Sequence, residues 1–153
     1  LYAVTFRSCP TCAAFKAAEY DKLMRAGVEV RWIMYARRDR DGKPRSKPGE
    51  RAMIAALWLD RDPQLMQRWW AAEDLEAFYN SPGLPPLADG DPRREGALAQ
   101  ARGFVDTLSG QFADNGLDLA IPTLIWREGG QTKVYIGYTA SGFAAGRAFL
   151  TAP

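Results

Sequence analysis

Histidine is absent from this chain of 153 residues. Without an imidazole there is no Ser-His-Asp or Cys-His hydrolytic centre. The commonest transition-metal ligand is missing as well. Cysteine occurs only twice, at Cys9 and Cys12. Two cysteines cannot complete a four-ligand zinc site without carboxylate help, and no carboxylate is spaced for it. The chain also lacks a charge excess: 20 Lys and Arg face 18 Asp and Glu, a net charge of +2. That gives no strong pull toward nucleic acid or anionic lipid. No apolar run approaches the roughly 20 residues of a membrane helix. A signal peptide is missing too, and the chain begins at Leu1, inside an expected strand. The expectation is a processed or truncated piece of a longer precursor.

What is present is ordinary in bulk and concentrated in one place. Hydrophobic residues make up 47% and charged residues 25%, as in a globular protein, and the length suits one domain. The concentrated place is Val4-Thr5-Phe6-Arg7-Ser8-Cys9-Pro10-Thr11-Cys12-Ala13-Ala14-Phe15-Lys16. It reads as a strand, a short loop and a helix that opens on the cysteine pair. Two cysteines at this spacing can close a disulfide and open it again. A cysteine in the first helical turn meets unpaired N–H groups and the positive end of the helix dipole. Both favour thiolate, so Cys9 is expected to be the low-pKa nucleophile. Cys12, one turn further in, is the expected resolving thiol.

Taken in order, Tyr2 to Phe6 is a strand and Cys9 to about Arg25 a helix, stopped by Gly27. Val28 to Tyr35 alternates in part and reads as a second strand, so the three form a right-handed parallel βαβ unit. Arg37 to Gly49 is a polar loop of mixed charge, a solvated segment or a basic rim for acidic partners. Glu50 to Asp60 is helical. Asp62-Pro63 and Asp91-Pro92 are helix starts, with helices after each and a short one over Asp74 to Tyr79. The second long helix runs to about Asn115-Gly116. Trp69 and Trp70 read as core or a supporting wall rather than a ligand box, and Trp58 lies at helical spacing with Met53, Ile54 and Leu57. Thr123 to Trp126 and Val134 to Ile136 are strands around a Glu128-Gly129-Gly130-Gln131 turn. A last helix covers about Ser141 to Leu150.

This order, with Cys-x-x-Cys after the first strand, resembles the thioredoxin fold. Ile121-Pro122-Thr123 stands where that fold places a cis-proline beside the cysteines. Within the superfamily the chain is similar to the catalytic domain of the periplasmic disulfide isomerases DsbC and DsbG. The similarity covers Val4-Thr5-Phe6, Cys9-Pro10-Thr11-Cys12, the strand Val28 to Tyr35, Ala55-Ala56-Leu57-Trp58, Asp60-Arg61-Asp62 and Val134-Tyr135-Ile136-Gly137-Tyr138. Three departures are visible. The N-terminal dimerisation domain and linker of that family are not in this chain. Ile121 replaces the family's threonine before the cis-proline. Thr11 replaces an aromatic after Pro10. Thioredoxin also has a buried aspartate six residues before its first cysteine, where this chain has Ala3.

The resemblance implies an α/β thioredoxin-like fold, βαβ–helical insert–ββα, with a four-stranded mixed sheet flanked by helices. It implies a single domain over 1–153 with a helical insertion at about 48–116. It further implies a thiol:disulfide reductase or isomerase that acts through a mixed disulfide. Cys9 and Cys12 would be catalytic, and Pro10, Thr11, Ile121 and Pro122 would contact substrate. No cofactor and no metal are expected. The expected partners are disulfide-bearing proteins and a DsbD-like membrane thiol–disulfide reductase, without nucleic acid. The expected setting is the bacterial periplasm after export, the signal segment lying outside this chain, and the expected state is a monomer. The competing reading is a thioredoxin-fold binding module with a passive disulfide. Closing so short a loop stabilises by only about 2 kcal/mol, which favours redox chemistry over structure.

Overall fold

The computed structural model describes residues 1–152. Its centre is a four-stranded mixed sheet flanked by helices, in the order β2-β1-β3-β4, a thioredoxin-like arrangement. The strands are β1 (Tyr2–Thr5), β2 (Arg31–Met34), β3 (Thr123–Glu128) and β4 (Gln131–Ile136). β1 runs antiparallel to β3, with Ala3 opposite Leu124 and Val4 opposite Thr123. β3 and β4 pair from Thr123–Ile136 to Glu128–Gln131. The turn between them is Gly129-Gly130, both at positive φ (54° and 81°), the backbone that a two-residue hairpin demands.

The chain divides into two compact units. The first comprises Leu1–Ile33 and Thr107–Pro153. Here α1 (Pro10–Phe15), a π-helical turn (Lys16–Tyr20) and α2 (Asp21–Arg25) follow one another directly. The helical run ends on a Schellman motif. Val28 N–H reaches Leu23 O at 2.9 Å and Gly27 N–H reaches Met24 O at 3.0 Å, with Gly27 at φ 79°. Val28 thereby packs near Leu23 in a core of Ala3, Phe15, Leu23, Leu124 and Phe143. Phe143, just before α7 (Ala144–Leu150), sits edge-on to Phe15 at 5.7 Å and to Trp126 at 6.1 Å. Fully burying Phe15, Leu23 and Phe143 stabilises by roughly 1.5–3 kcal/mol each, and edge-to-face ring pairs add about 0.5–1.5 kcal/mol.

The second unit, Met34–Asp106, is helical: α3 (Pro48–Asp60), α4 (Pro63–Ala71), α5 (Leu75–Tyr79) and most of α6 (Pro92–Asp114). The aspartate starts hold as the sequence predicts. Asp62 Oδ1 accepts from Gln64 N and Leu65 N, Asp74 Oδ1 from Glu76 N and Ala77 N, and Asp91 Oδ1 from Arg93 N and Arg94 N. Each cap satisfies helix-start donors and stabilises by about 1 kcal/mol. Trp69 and Trp70 are buried, and Trp58 Nε1 donates to Met34 O at 2.7 Å. The 37–49 loop carries a small hairpin, Arg40 to Lys43, turning at Asp41-Gly42. Three of its cations pair with carboxylates of the same unit: Arg38 with Asp106, Arg40 with Asp41, Lys47 with Glu76.

Several boundaries differ from the sequence reading: α3 begins at Pro48 and β4 at Gln131, earlier than expected, and β3 runs on to Glu128. The first helix begins at Pro10, with Cys9 outside it as the N-cap. β2 begins at Arg31, because Val28 completes the helix stop. α7 begins at Ala144, after a turn in which Gly142 N–H donates to Thr139 Oγ1. The π-helical turn at Lys16–Tyr20 carries no proline or glycine, so nothing local marks it in the sequence.

Candidate active site

Cys9 ends the loop after β1 in an extended conformation, φ −84° and ψ 115°, and its N–H donates to Phe6 O at 3.2 Å. Its sulfur takes the place a serine or aspartate oxygen holds at other caps. Cys9 Sγ accepts the N–H of Cys12 at 3.2 Å, while Ala13 N–H donates to Cys9 O at 3.0 Å. Pro10 sits at the first helical position, where its missing N–H costs no bond. Pro10 is exposed and Thr11 half-buried. Both cysteines are unbridged thiols, Cys9 5% exposed and Cys12 fully buried. Burial first, then the hydrogen bond and charge of Cys9, push the Cys12 thiol well up.

The other wall of the site comes from the segment before β3. Cys9 Sγ lies 3.9 Å from Ile121 O, within reach of a weak S–H···O contact. Ile121 is half-buried and Pro122 buried, and the bond between them is cis. Cys9, Cys12, Ile121 and Pro122 are thus brought together at the end of the central strands. Ala3, where thioredoxin has its aspartate, is fully buried on β1 and brings no titratable group.

Sequence reasoning missed a second polar cluster. Glu19, inside the π-helical turn, is fully buried. Its Oε1 accepts from Tyr138 Oη at 2.8 Å and from Arg147 Nη1 at 2.5 Å. Its Oε2 is buried and has no hydrogen-bond partner among the described residues. Burial and the Glu19 bond push the Tyr138 hydroxyl up to about 12. The signal was present. Cys12, Phe15, Glu19 and Leu23 recur at spacings of three and four, which places an acid in the buried stripe.

Among the described residues no group of three or more His, Cys, Asp and Glu could hold a metal ion. Nor is any helix among them long and apolar enough to cross a membrane. The chemistry available is that of a closely spaced pair of thiols at a helix start, placed to form a disulfide across one turn. No protein-family model matches the chain, and no curated protein matches it.

Proposed function

We propose that this protein is a thiol–disulfide oxidoreductase, a reductase or isomerase of the DsbC/DsbG type, acting on protein disulfides. The observation that carries the reading is the position of Cys9 Sγ. It receives the Cys12 N–H at 3.2 Å and faces Ile121 O at 3.9 Å. The sulfur that would attack a disulfide thus stands at the helix start beside a backbone carbonyl, with the second thiol one turn away.

In this reading the Cys9 thiolate attacks one sulfur of a substrate disulfide. A Cys9–substrate disulfide forms, the substrate S–S bond breaks, and the departing sulfur takes a proton from water. Cys12 then gives up its proton and attacks Cys9 Sγ. The mixed disulfide breaks, the second substrate sulfur leaves and is protonated, and the Cys9–Cys12 disulfide remains. The substrate has gained two electrons and the pair has lost two. In reverse, the pair donates its disulfide. Ile121 offers its backbone to an extended substrate segment, with Pro10, Thr11 and Pro122 as neighbouring contacts.

The same reading makes residues 48–116 an insertion in one thioredoxin-like domain, working as a monomer in the periplasm. A membrane thiol–disulfide reductase would restore the dithiol. The test is Cys12→Ser, which leaves Cys9 unable to complete the second step. It should accumulate mixed disulfides with reducible protein substrates, while Cys9→Ser forms none and the wild type reduces insulin. A wild type without turnover, and a Cys12→Ser variant that traps nothing, would leave a passive pair in a binding module.

A further inference from the structure

A buried carboxylate is a poor stabilising device, since desolvation offsets much of what its partners contribute. Glu19 is fully buried, shares one oxygen between Tyr138 and Arg147, and leaves the other buried with no hydrogen-bond partner among the described residues. Replacing a whole buried ion pair with well-packed apolar residues often costs little stability, so the pair is a weak reason in itself for an acid at this position. Its position supplies a different reason for it. Tyr138 follows Gly137, whose N–H donates to Pro122 O at 2.8 Å. Pro122 follows Ile121, whose carbonyl lies 3.9 Å from Cys9 Sγ. Cys9 caps the helical run that contains Glu19. The contacts therefore close a ring from Cys9 along the helix to Glu19, across to Tyr138, through Gly137 and Pro122, and back through Ile121.

We propose that Glu19 is a positioning residue that clamps this ring and so holds the Ile121 carbonyl in register with Cys9 for an extended substrate. The proposal rests on the oxidoreductase reading for its substrate, though the clamp itself is a property of the fold. Two polar contacts join the helical run to the rest of the ring. At one end the Cys9–Ile121 contact is long and weak, and it is the end a substrate must enter. At the other end Glu19 supplies the strong bond, a charge-assisted one. Tyr138 is held a second time by its ring, which lies edge-on to Phe15 at 5.3 Å and to Phe143 at 6.3 Å. Phe15 stands one turn after Cys12. Arg147, on α7, fixes the carboxylate from the far side. Loss of the charge should loosen Tyr138 and then Gly137, without touching either cysteine.

The experiment compares Glu19→Gln, Tyr138→Phe and Asp62→Ala with the wild type. Asp62→Ala removes the α4 cap and serves as a loss of stability outside the ring. Two readouts are taken below every variant's melting range: steady-state reduction of a protein disulfide, and exchange of the Gly137 amide by NMR. Glu19→Gln and Tyr138→Phe should raise KM about tenfold with kcat within twofold, and speed Gly137 exchange at least tenfold. Asp62→Ala should lower Tm and leave KM unchanged. Wild-type KM and Gly137 exchange in both ring variants, or an equal KM rise in Asp62→Ala, would overturn the clamp. The exchange arm needs no turnover, so an inactive wild type would count against the oxidoreductase reading alone.

Discussion

The backbone N–H of Cys12 points at the sulfur of Cys9 across 3.2 Å, so the second cysteine of the pair holds the first through its main chain. Its own thiol is in the opposite situation. It is fully buried and pushed well up, chiefly by that burial. Only a thiolate attacks an alkylating reagent, and a thiol pushed well up supplies little of it near neutral pH. With the protein reduced at neutral pH, iodoacetamide should therefore label Cys9 faster than Cys12, by on the order of tenfold or more. Peptide mapping of partly labelled protein reads the ratio. Equal labelling, or a preference for Cys12, would reverse the roles assigned to the two.

Much of the frame could be read from residues with strong local physics. Asp62-Pro63 and Asp91-Pro92 start helices because an aspartate oxygen satisfies orphan donors and proline tolerates the first position. Gly129-Gly130 turns the hairpin because both residues need positive φ. The cysteine pair was found because nothing else in the chain carries comparable chemistry. Three features were harder to read. The π-helical turn at Lys16–Tyr20 has no proline or glycine to mark it. Cys9 counted as helical because a cap and a first-turn residue look alike in sequence, one position apart. Glu19 is harder to read because a single acid in an apolar stripe shows its meaning only once Tyr138 and Arg147 arrive from 119 and 128 residues away.

Tyr138 makes the fold sensitive to alkali. Its hydroxyl is pushed up to about 12, first by burial and then by donation to Glu19. In the unfolded chain a tyrosine ionises near pH 10. A raised folded value means that the native state keeps a proton the unfolded state has already lost. The contribution is thus fully present below about pH 10 and is lost as pH rises through about 12. Urea midpoints of the wild type and Tyr138→Phe should differ by a constant amount from pH 7 to 9, and the difference should shrink from pH 10 upward. A difference that stays flat to pH 12 would mean that Tyr138 ionises alike in both states.

Ile121 should make the pair more reducing than a threonine there would. Its carbonyl faces Cys9 Sγ, and its half-buried side chain is apolar and carries no donor. A hydroxyl at that position could donate to a thiolate, and stabilising the reduced form raises the reduction potential. Ile121→Thr keeps the β-branch, so the backbone that carries the carbonyl should change little. A hydrogen bond to a charged group contributes roughly 1.5–3 kcal/mol. For a two-electron couple that corresponds to an upward shift of about 30–60 mV. Ile121→Val, which keeps the branch and adds no donor, should stay at the wild-type potential. Equilibration with glutathione at fixed pH measures all three proteins, and the alkylation rate of Cys9 should rise in Ile121→Thr alone. If the threonine variant keeps the wild-type potential and rate, the residue before Pro122 does not tune this pair. The setting would then come from Pro10, Thr11 and the Cys12 N–H at the helix start.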